Sequence, residues 1–232
     1  MTRSGPDAPR IALACLDMAG TTVEDAGAVS YAFAAALDEV GVVEGSAEWE
    51  RMAEYVADTM GTSKIVVFRA LFDDEQVAEK ANAAFEADYE ERIASGAVVP
   101  IAGAEEAIAE LRGAGVKVAL HTGFSVVTRN RLVAALGWEE IADLLLCPAE
   151  AGRGRPYPDM VLTSLLRLGV DDVAAVAICG DTAADVEAGR HAGASVVAGV
   201  LTGADGADRL LGAGATHVLG SIAELPGILG IR

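Results

Sequence analysis

The sequence has few aromatic and few basic residues. Phe, Trp and Tyr make up 5% of the 232 residues, so alanine, valine and leucine must fill most of the core. There are 17 lysines and arginines against 35 acidic residues, which gives a formal net charge of −18. Because no basic cluster interrupts this charge, we expect neither a nucleic acid nor an anionic membrane as a partner. An anionic small molecule would have to be held by local groups.

Cysteines and long apolar runs are also scarce. Cys15, Cys147 and Cys179 lie in apolar segments without metal-site spacing, which indicates buried free thiols in a reducing compartment. No window has the roughly 18 uninterrupted apolar residues of a membrane-spanning helix. The first ten residues, MTRSGPDAPR, form a polar leader without the apolar stretch of a secretory signal. The sequence therefore predicts a cytoplasmic protein.

The stretch around which the chain is organised is residues 11–23, IALACLDMAGTTV. A short apolar run that ends in Asp17 and enters a glycine-containing turn is typical of a buried parallel strand. In open α/β sheets, the turn after such a strand lies at the edge where ligands bind. We therefore expect the Asp17 carboxylate in a cleft, and the alternative is a turn aspartate that merely ends the strand.

The pattern along the chain predicts two parts. Residues 27–95 have helical periodicity, and strands alternate with helices from residue 98 onward. The later strands are expected at residues 116–120, 144–146, 174–179, 195–200 and 217–219. This alternation predicts βαβ units and a parallel sheet. We therefore predict an α/β protein with a Rossmann-like core domain (residues 1–26 and 96–232) and an inserted all-helical cap domain (residues 27–95).

Polar residues follow several predicted strands, and the carboxyl ends of parallel strands meet at one edge of a sheet. These residues are Asp17, Thr122, Asp181, Asp185 and the basic loop RGRP at 153–156. The three carboxylates offer hard oxygen ligands suited to Mg²⁺, and without a cation each would raise the pKa of the others. For Asp181 and Asp185 the alternative is helix N-capping, because GDTAAD begins a helix.

This set of motifs resembles the haloacid dehalogenase superfamily of phosphoryl-transfer enzymes. The motifs are DxxGT at residues 17–21, the strand-end Thr122, the later Arg155 and GDTxxD at 180–185. The resemblance implies that Asp17 attacks phosphorus and that Arg155 offsets the charge. It also implies Mg²⁺ held by Asp17, the Ala19 carbonyl, Asp181 and Asp185. It further implies a phosphoryl group held by the residues Gly20, Thr21, Thr122 and Gly123.

Ala19 departs from most phosphatases of this superfamily. They have a second aspartate at this position, which protonates the leaving group, and a methyl group cannot do so. The branch with D-x-A-G-T-T, M-G-x-x-K at residues 60–64, R-A-L at 69–71 and a G-R-P-Y-P loop resembles phosphonoacetaldehyde hydrolase. That resemblance implies that Lys64 forms a Schiff base with an aldehyde, beside Met60. The imine withdraws electrons, so no proton donor is needed at Ala19, and the amine must be partly neutral to attack. The alternative is an ordinary solvated helix lysine.

Three positions differ from the phosphonoacetaldehyde hydrolase pattern. Val67 stands where that family has a proton-shuttling histidine, Phe124 replaces a tyrosine, and Ala26-Gly27 replaces a glycine-cysteine pair. Of the three histidines, His121 alone lies near a motif, where we expect a structural histidine capped by the backbone.

Three functions are therefore considered. The first is cleavage of a small carbonyl phosphonate, the second is hydrolysis of a small phosphate monoester such as a glycolate or sugar phosphate, and the third is phosphate binding without turnover. The cap is expected to move on hinges near residues 24–27 and 95–100. The resemblance also implies a homodimer formed through the cap.

Overall fold

The computed structural model describes residues 10–24 and 26–231. The polar leader at residues 1–9, Asp25 in the first predicted hinge and the last residue lie outside this described part. Within it, no helix is both long enough and apolar enough to cross a membrane.

Eight strands form two sheets in the described residues. They are β1 (Leu13–Asp17), β2 (Val23–Glu24), β3 (Val99–Pro100), β4 (Lys117–His121), β5 (Leu144–Leu146), β6 (Val176–Gly180), β7 (Val196–Val200) and β8 (His217–Leu219). Six of them make a parallel sheet in the order β5-β4-β1-β6-β7-β8. All five residues of β1 are buried, as expected for a central strand covered on both faces. The predicted α/β class and parallel sheet are confirmed.

Eleven α-helices are assigned in the same part of the chain. They are α1 (Ala28–Glu39), α2 (Ala47–Asp58), α3 (Lys64–Leu71), α4 (Glu75–Ala94), α5 (Ala104–Gly113), α6 (Val126–Leu136), α7 (Pro148–Ala151), α8 (Asp159–Arg167), α9 (Ala183–Ala192), α10 (Ala207–Ala213) and α11 (Leu225–Ile228). Local sequence explains where several begin. The Ser46 hydroxyl accepts from the Trp49 amide at 3.1 Å, and the Asp74 carboxylate accepts from the Gln76 amide at 2.8 Å. Both are N-caps that satisfy otherwise unpaired amides in the first turns of α2 and α4.

The four helices α1 to α4 lie between β2 and β3, which pair antiparallel. The chain thus leaves and re-enters the core through a two-stranded ribbon. Phe33, Phe68 and Phe85 pack together with ring centroids 4.8–6.2 Å apart, which gives the helical part its own aromatic cluster. The division into a core domain and a cap domain stays a prediction, and "cap" below means α1 to α4 with their connections.

One strand begins two residues later than predicted. The strand expected at residues 174–179 starts at Val176, because Val173–Ala175 forms a 3-10 turn. The Asp172 carboxylate accepts from the Ala174 amide at 2.9 Å and holds the backbone in that turn. The alanines there have no side-chain pattern that distinguishes a strand from a turn.

Candidate active site

A cavity of about 360 Å³ lies where the carboxyl ends of β1, β4 and β6 face the cap. This edge is the expected ligand site, because the strand order reverses at β1. We call it the catalytic cavity. Its lining includes nine of the predicted site residues: Asp17, Ala19, Gly20, Met60, Lys64, Thr122, Gly123, Arg155 and Asp181.

Asp17 and Arg155 form a buried ion pair in this cavity. Asp17 ends β1 in register with His121 of β4, and its carboxylate accepts from the Arg155 guanidinium at 2.6 Å. The two residues are 7% and 5% exposed. Arg155 also pairs with the Asp185 carboxylate. One guanidinium thus connects the end of β1 to the helix that follows β6, as the convergence of strand ends predicts.

The carboxylates of Asp17, Asp181 and Asp185 form a buried acidic trio. One oxygen from each lies within 4.8 Å of the others. Burial raises the pKa of Asp17 well above its usual value; Arg155 opposes this rise, and Asp185 and Asp181 add to it. Burial, followed by the charge of Asp185, raises the pKa of Asp181 to about 6. Three buried carboxylates with one guanidinium have an excess of negative charge, and hard oxygen donors in such a set fit Mg²⁺.

Asp185 also takes part in the N-terminal cap of α9. Thr182 is the N-cap of α9 and accepts from the Asp185 amide, while the Asp185 carboxylate accepts from the Thr182 amide at 3.2 Å. This capping box is the alternative expected from GDTAAD, and it coexists with the Arg155 pair. Both Asp185 oxygens are therefore engaged by this chain, and Asp17 and Asp181 are the acids of the trio that line the catalytic cavity.

The turn after β1 brings its backbone against Asp181. Gly20 has φ +85°, and a Cβ at this position would collide with the Asp181 carboxylate. The Thr21 hydroxyl donates to the same carboxylate at 3.3 Å. Thr21 is fully buried and is not among the described residues that line the catalytic cavity. Its observed contact is with an acid of the trio, whereas the predicted contact is with a phosphoryl group.

Thr122 and Gly123 follow β4 at the floor of the cavity. The Thr122 hydroxyl accepts from the Phe124 amide at 3.2 Å, which fixes the turn. A Cβ on Gly123 would lie 2.8 Å from the carbonyl oxygen of Thr62, a cap residue. Glycine is therefore needed for the core turn and the cap loop to touch.

Lys64 is the first residue of α3 and lines the catalytic cavity from the cap side. It is 8% exposed, in contrast to the solvated lysine considered as the alternative. Its Nζ lies 5.4, 5.8 and 5.6 Å from the ring centroids of Phe33, Phe85 and Phe124. Lys64 and Asp17 therefore line the same cavity, and three apolar rings surround the amine.

The three departures from the phosphonoacetaldehyde hydrolase pattern also lie near Lys64. Val67 is 2% exposed and packs in the main core cluster, so its position supplies no proton-transfer group. The Phe124 ring lies 4.5 Å from the Tyr89 ring, centroid to centroid, and joins the core to the cap. Ala26 and Gly27 both line the cavity at its hinge side.

Several cavity residues were missed by the sequence reasoning. The turn after β7 contributes residues 202–204, where the Ala204 amide donates to the Asp181 carboxylate at 2.8 Å. The rule that strand ends converge could have found this turn, because β7 is a neighbour of β6 in the sheet. The aromatic rings of Phe33 and Phe85 come from α1 and α4, and no local motif indicates that they meet Lys64.

The expected backbone cap on His121 is wrong. Its Nε2 lies 2.8 Å from the Ser164 hydroxyl of α8, behind the catalytic cavity. Burial, followed by the nearby charge of Arg155, lowers the pKa of His121 to about 3. The imidazole is therefore neutral at physiological pH, consistent with a structural histidine.

Comparisons with known proteins agree with this geometry. A family model described as haloacid dehalogenase-like hydrolase matches residues 11–193. The chain is 34% identical to a phosphonoacetaldehyde hydrolase from Pseudomonas paraeruginosa over 209 residues, which cover 82% of this chain and 73% of the relative.

Two solved structures show the same fold. A phosphonoacetaldehyde hydrolase like protein from Oleispira antarctica has a TM-score of 0.80 at 24% identity, and the match covers 96% of this chain and 92% of that one. A predicted phosphoglycolate phosphatase from Haemophilus somnus has a TM-score of 0.79 at 17% identity, with 95% and 98% covered. At these identities the two structures support the architecture and leave the substrate open.

Proposed function

The chain belongs to the haloacid dehalogenase-like hydrolase family, and we propose that it cleaves the carbon–phosphorus bond of a small carbonyl phosphonate. The observation that carries this proposal is that Asp17 and Lys64 line one cavity of about 360 Å³. Ala19 lines it too, at the position where a leaving-group acid would stand. The relatives named phosphonoacetaldehyde hydrolase support the same class of substrate.

The phosphonate group would lie at the core side of the cavity. Asp17 would attack phosphorus, and Arg155 would hold the carboxylate in place and offset charge, since the two already touch. Thr122 and the Gly123 amide would donate to phosphonate oxygens. Asp17, the Ala19 carbonyl and Asp181 would hold Mg²⁺, with Asp185 beside them. Bound Mg²⁺ would neutralise phosphonate oxygens and relieve the repulsion within the acidic trio.

The carbonyl group would lie at the cap side, next to Lys64 and Met60. The neutral Lys64 amine would add to the carbonyl carbon and lose water to give an imine, which is then protonated. When Asp17 attacks phosphorus, the carbon–phosphorus bond breaks and its electron pair moves through carbon to the imine nitrogen. The products of this step are an enamine on Lys64 and a phosphorylated Asp17. Protonation at carbon and two hydrolyses would release the carbonyl compound and phosphate.

The proton transfers of imine formation need a group other than Val67. Among the described residues that line the catalytic cavity, Glu24 is the carboxylate outside the acidic trio. It is exposed at the hinge ribbon and can exchange protons with water. We propose Glu24 as the proton-transfer group that serves the Lys64 amine.

The second candidate is a phosphatase that acts on a small monoester such as phosphoglycolate or a sugar phosphate. The buried Val67 favours it, because imine chemistry would be easier with a histidine there. The shared fold with the predicted phosphoglycolate phosphatase agrees with it. Ala19 argues against efficient ester hydrolysis, because an alkoxide would leave without a proton donor.

Replacing Lys64 distinguishes the two candidates. We expect Lys64→Met to lower phosphate release from phosphonoacetaldehyde by at least about a thousandfold, because the imine cannot form. A loss of this size is usual when a covalent catalyst is removed. Lys117→Met is the matched control, because Lys117 is half-exposed on β4 and lines neither the cavity nor its rim. Full activity of Lys64→Met on phosphonoacetaldehyde would reject the imine. Phosphate release from a monoester that Lys64→Met leaves unchanged would favour the phosphatase.

A further inference from the structure

A second cavity, of about 530 Å³, lies on the other side of Lys64. It runs between α3 and α4 of the cap and the core segment that includes α7 and Arg155. Lys64, Gly123, Phe124 and Arg155 line both cavities. The Lys64 side chain and the Phe124 ring thus form a shared wall. Any substrate held on the Lys64 amine lies at the boundary between the two spaces.

Three polar side chains of this second cavity, Arg69, Arg153 and Asn82, already have partners within the chain. The Arg69 guanidinium donates to Glu75 at 2.9 Å, and the Arg153 guanidinium donates to Asp159 at 2.8 Å. The Asn82 amide donates to Glu86 at 3.3 Å. A polar or anionic ligand would have to compete with these contacts and lose hydration as well. The polar rim therefore favours no charged ligand.

Apart from Lys64, Arg155 and Tyr157, the remaining lining is apolar or small. Val66 is 51% exposed, and it lines this space with Ile65, Phe124, Pro148 and Ala149. Small-molecule sites commonly have this size and an apolar lining with few free polar groups. A neutral alkyl or aryl chain is the chemistry that such a surface stabilises.

We propose that the second cavity binds the substituent on the substrate's carbonyl carbon, so that the substrate class is 2-oxoalkylphosphonates with an apolar chain. This proposal rests on the proposed function, because it places the carbonyl carbon on Lys64. An aldehyde has only hydrogen as that substituent and would leave the second cavity without a ligand. A ketone forms a ketimine with the same amine, and the later steps balance as before, with phosphate and a methyl ketone as products.

The test is phosphate release from phosphonoacetaldehyde and from 2-oxopropyl-, 2-oxopentyl- and 2-oxooctylphosphonate. We expect kcat/KM to rise about fourfold per added methylene, the factor for burying one CH₂. Val66→Trp should remove about tenfold or more of this gain for the octyl compound, because the indole fills the second cavity. Activity on phosphonoacetaldehyde should be unchanged and shows that the variant folds. Val127→Trp is the matched control, since Val127 is 53% exposed on α6 and lines neither cavity.

The outcomes separate this inference from the proposed function. If kcat/KM is flat or falls along the series while phosphonoacetaldehyde is hydrolysed, the chain does not bind in the second cavity and the proposed function stands. A rise along the series that Val66→Trp leaves unaffected also overturns the inference, because the chain then binds elsewhere. If no carbonyl phosphonate releases phosphate and a monoester does, the proposed function itself fails.

Discussion

At the scale of single residues, the candidate site carries an excess of buried negative charge. Asp17, Asp181 and Asp185 share one guanidinium, and burial raises the pKa of both Asp17 and Asp181. A divalent cation would lower these pKa values by favouring the ionised carboxylates. Because protons and Mg²⁺ compete for the same carboxylates, we expect Mg²⁺ binding to weaken as the pH falls.

The pH dependence follows from Asp181. Its folded-state pKa of about 6 lies above the usual aspartate value of 3.8, so the protonated carboxyl stabilises the metal-free protein fully below about pH 4. This contribution is lost as the pH rises through about 6, where Mg²⁺ can take the proton's place. We therefore expect Mg²⁺ to raise Tm more at pH 8 than at pH 5.

Thermal unfolding with Mg²⁺ and with EDTA at each pH measures this difference. Comparing the two conditions at one pH removes the opposite contribution of His121, whose lowered pKa of about 3 destabilises the folded protein as the pH falls below about 6.5. An equal Mg²⁺ effect at both pH values would show that the acidic trio does not hold the ion.

At the scale of secondary-structure elements, the sequence predicts most of the core and little of the contact between core and cap. The strands at 144–146 and 217–219 were predicted at their observed positions, because each depends on neighbours in sequence. The contacts of Lys64 with Phe33 and Phe85 join residues about 20 to 30 positions apart, as helix packing brings them together. Local sequence patterns do not predict such contacts.

Glycines at the junction of core and cap are the clearest example. Gly61 reads as part of M-G-x-x-K, and the structure adds that it has φ +82° and that a Cβ there would collide with the Thr182 hydroxyl. Thr182 is also the N-cap of α9, so it cannot move without cost. The cap therefore closes onto the helix that carries Asp185.

We expect Gly61→Ala to block this closure. The positive φ costs about 1 to 2 kcal/mol of stability, and the collision should lower kcat/KM by about a hundredfold or more, the scale for misplacing reacting groups by about 1 Å. The matched control is Gly45→Ala, which has φ +76° and meets no described atom within 4 Å. It should lose similar stability and keep its activity. Steady-state kinetics measures the activity of both variants, and denaturant unfolding measures their stability. Wild-type kcat/KM in both variants would contradict this account.

At the scale of the whole molecule, the core and the cap both line the catalytic cavity. The core supplies the Asp17 carboxylate and the cap supplies the Lys64 amine. An ion pair between Arg209 of α10 and Asp58 of α2, at 3.1 Å, links the two parts outside the cavity. Both side chains are largely exposed, so this pair contributes little to stability. The packing of Phe124 against Tyr89 is the more substantial link.

The predicted homodimer through the cap and the cytoplasmic location stay predictions. With a net charge of −18, the molecule repels anionic substrates at long range. Under the proposed function, binding would therefore come from the short-range contacts of Arg155, the strand-end amides and a bound cation. That function would depend on cap closure, which would bring these groups and Lys64 around one substrate.

The most direct test of the central claim is chemical trapping on Lys64. The chain has only three lysines, Lys64, Lys80 and Lys117, so peptide mass spectrometry can assign a reduced adduct without ambiguity. With phosphonoacetaldehyde and borohydride, we predict loss of activity and one adduct, on Lys64, because the imine is reduced to a stable secondary amine. An unmodified Lys64 in enzyme that turns over this substrate would contradict the account.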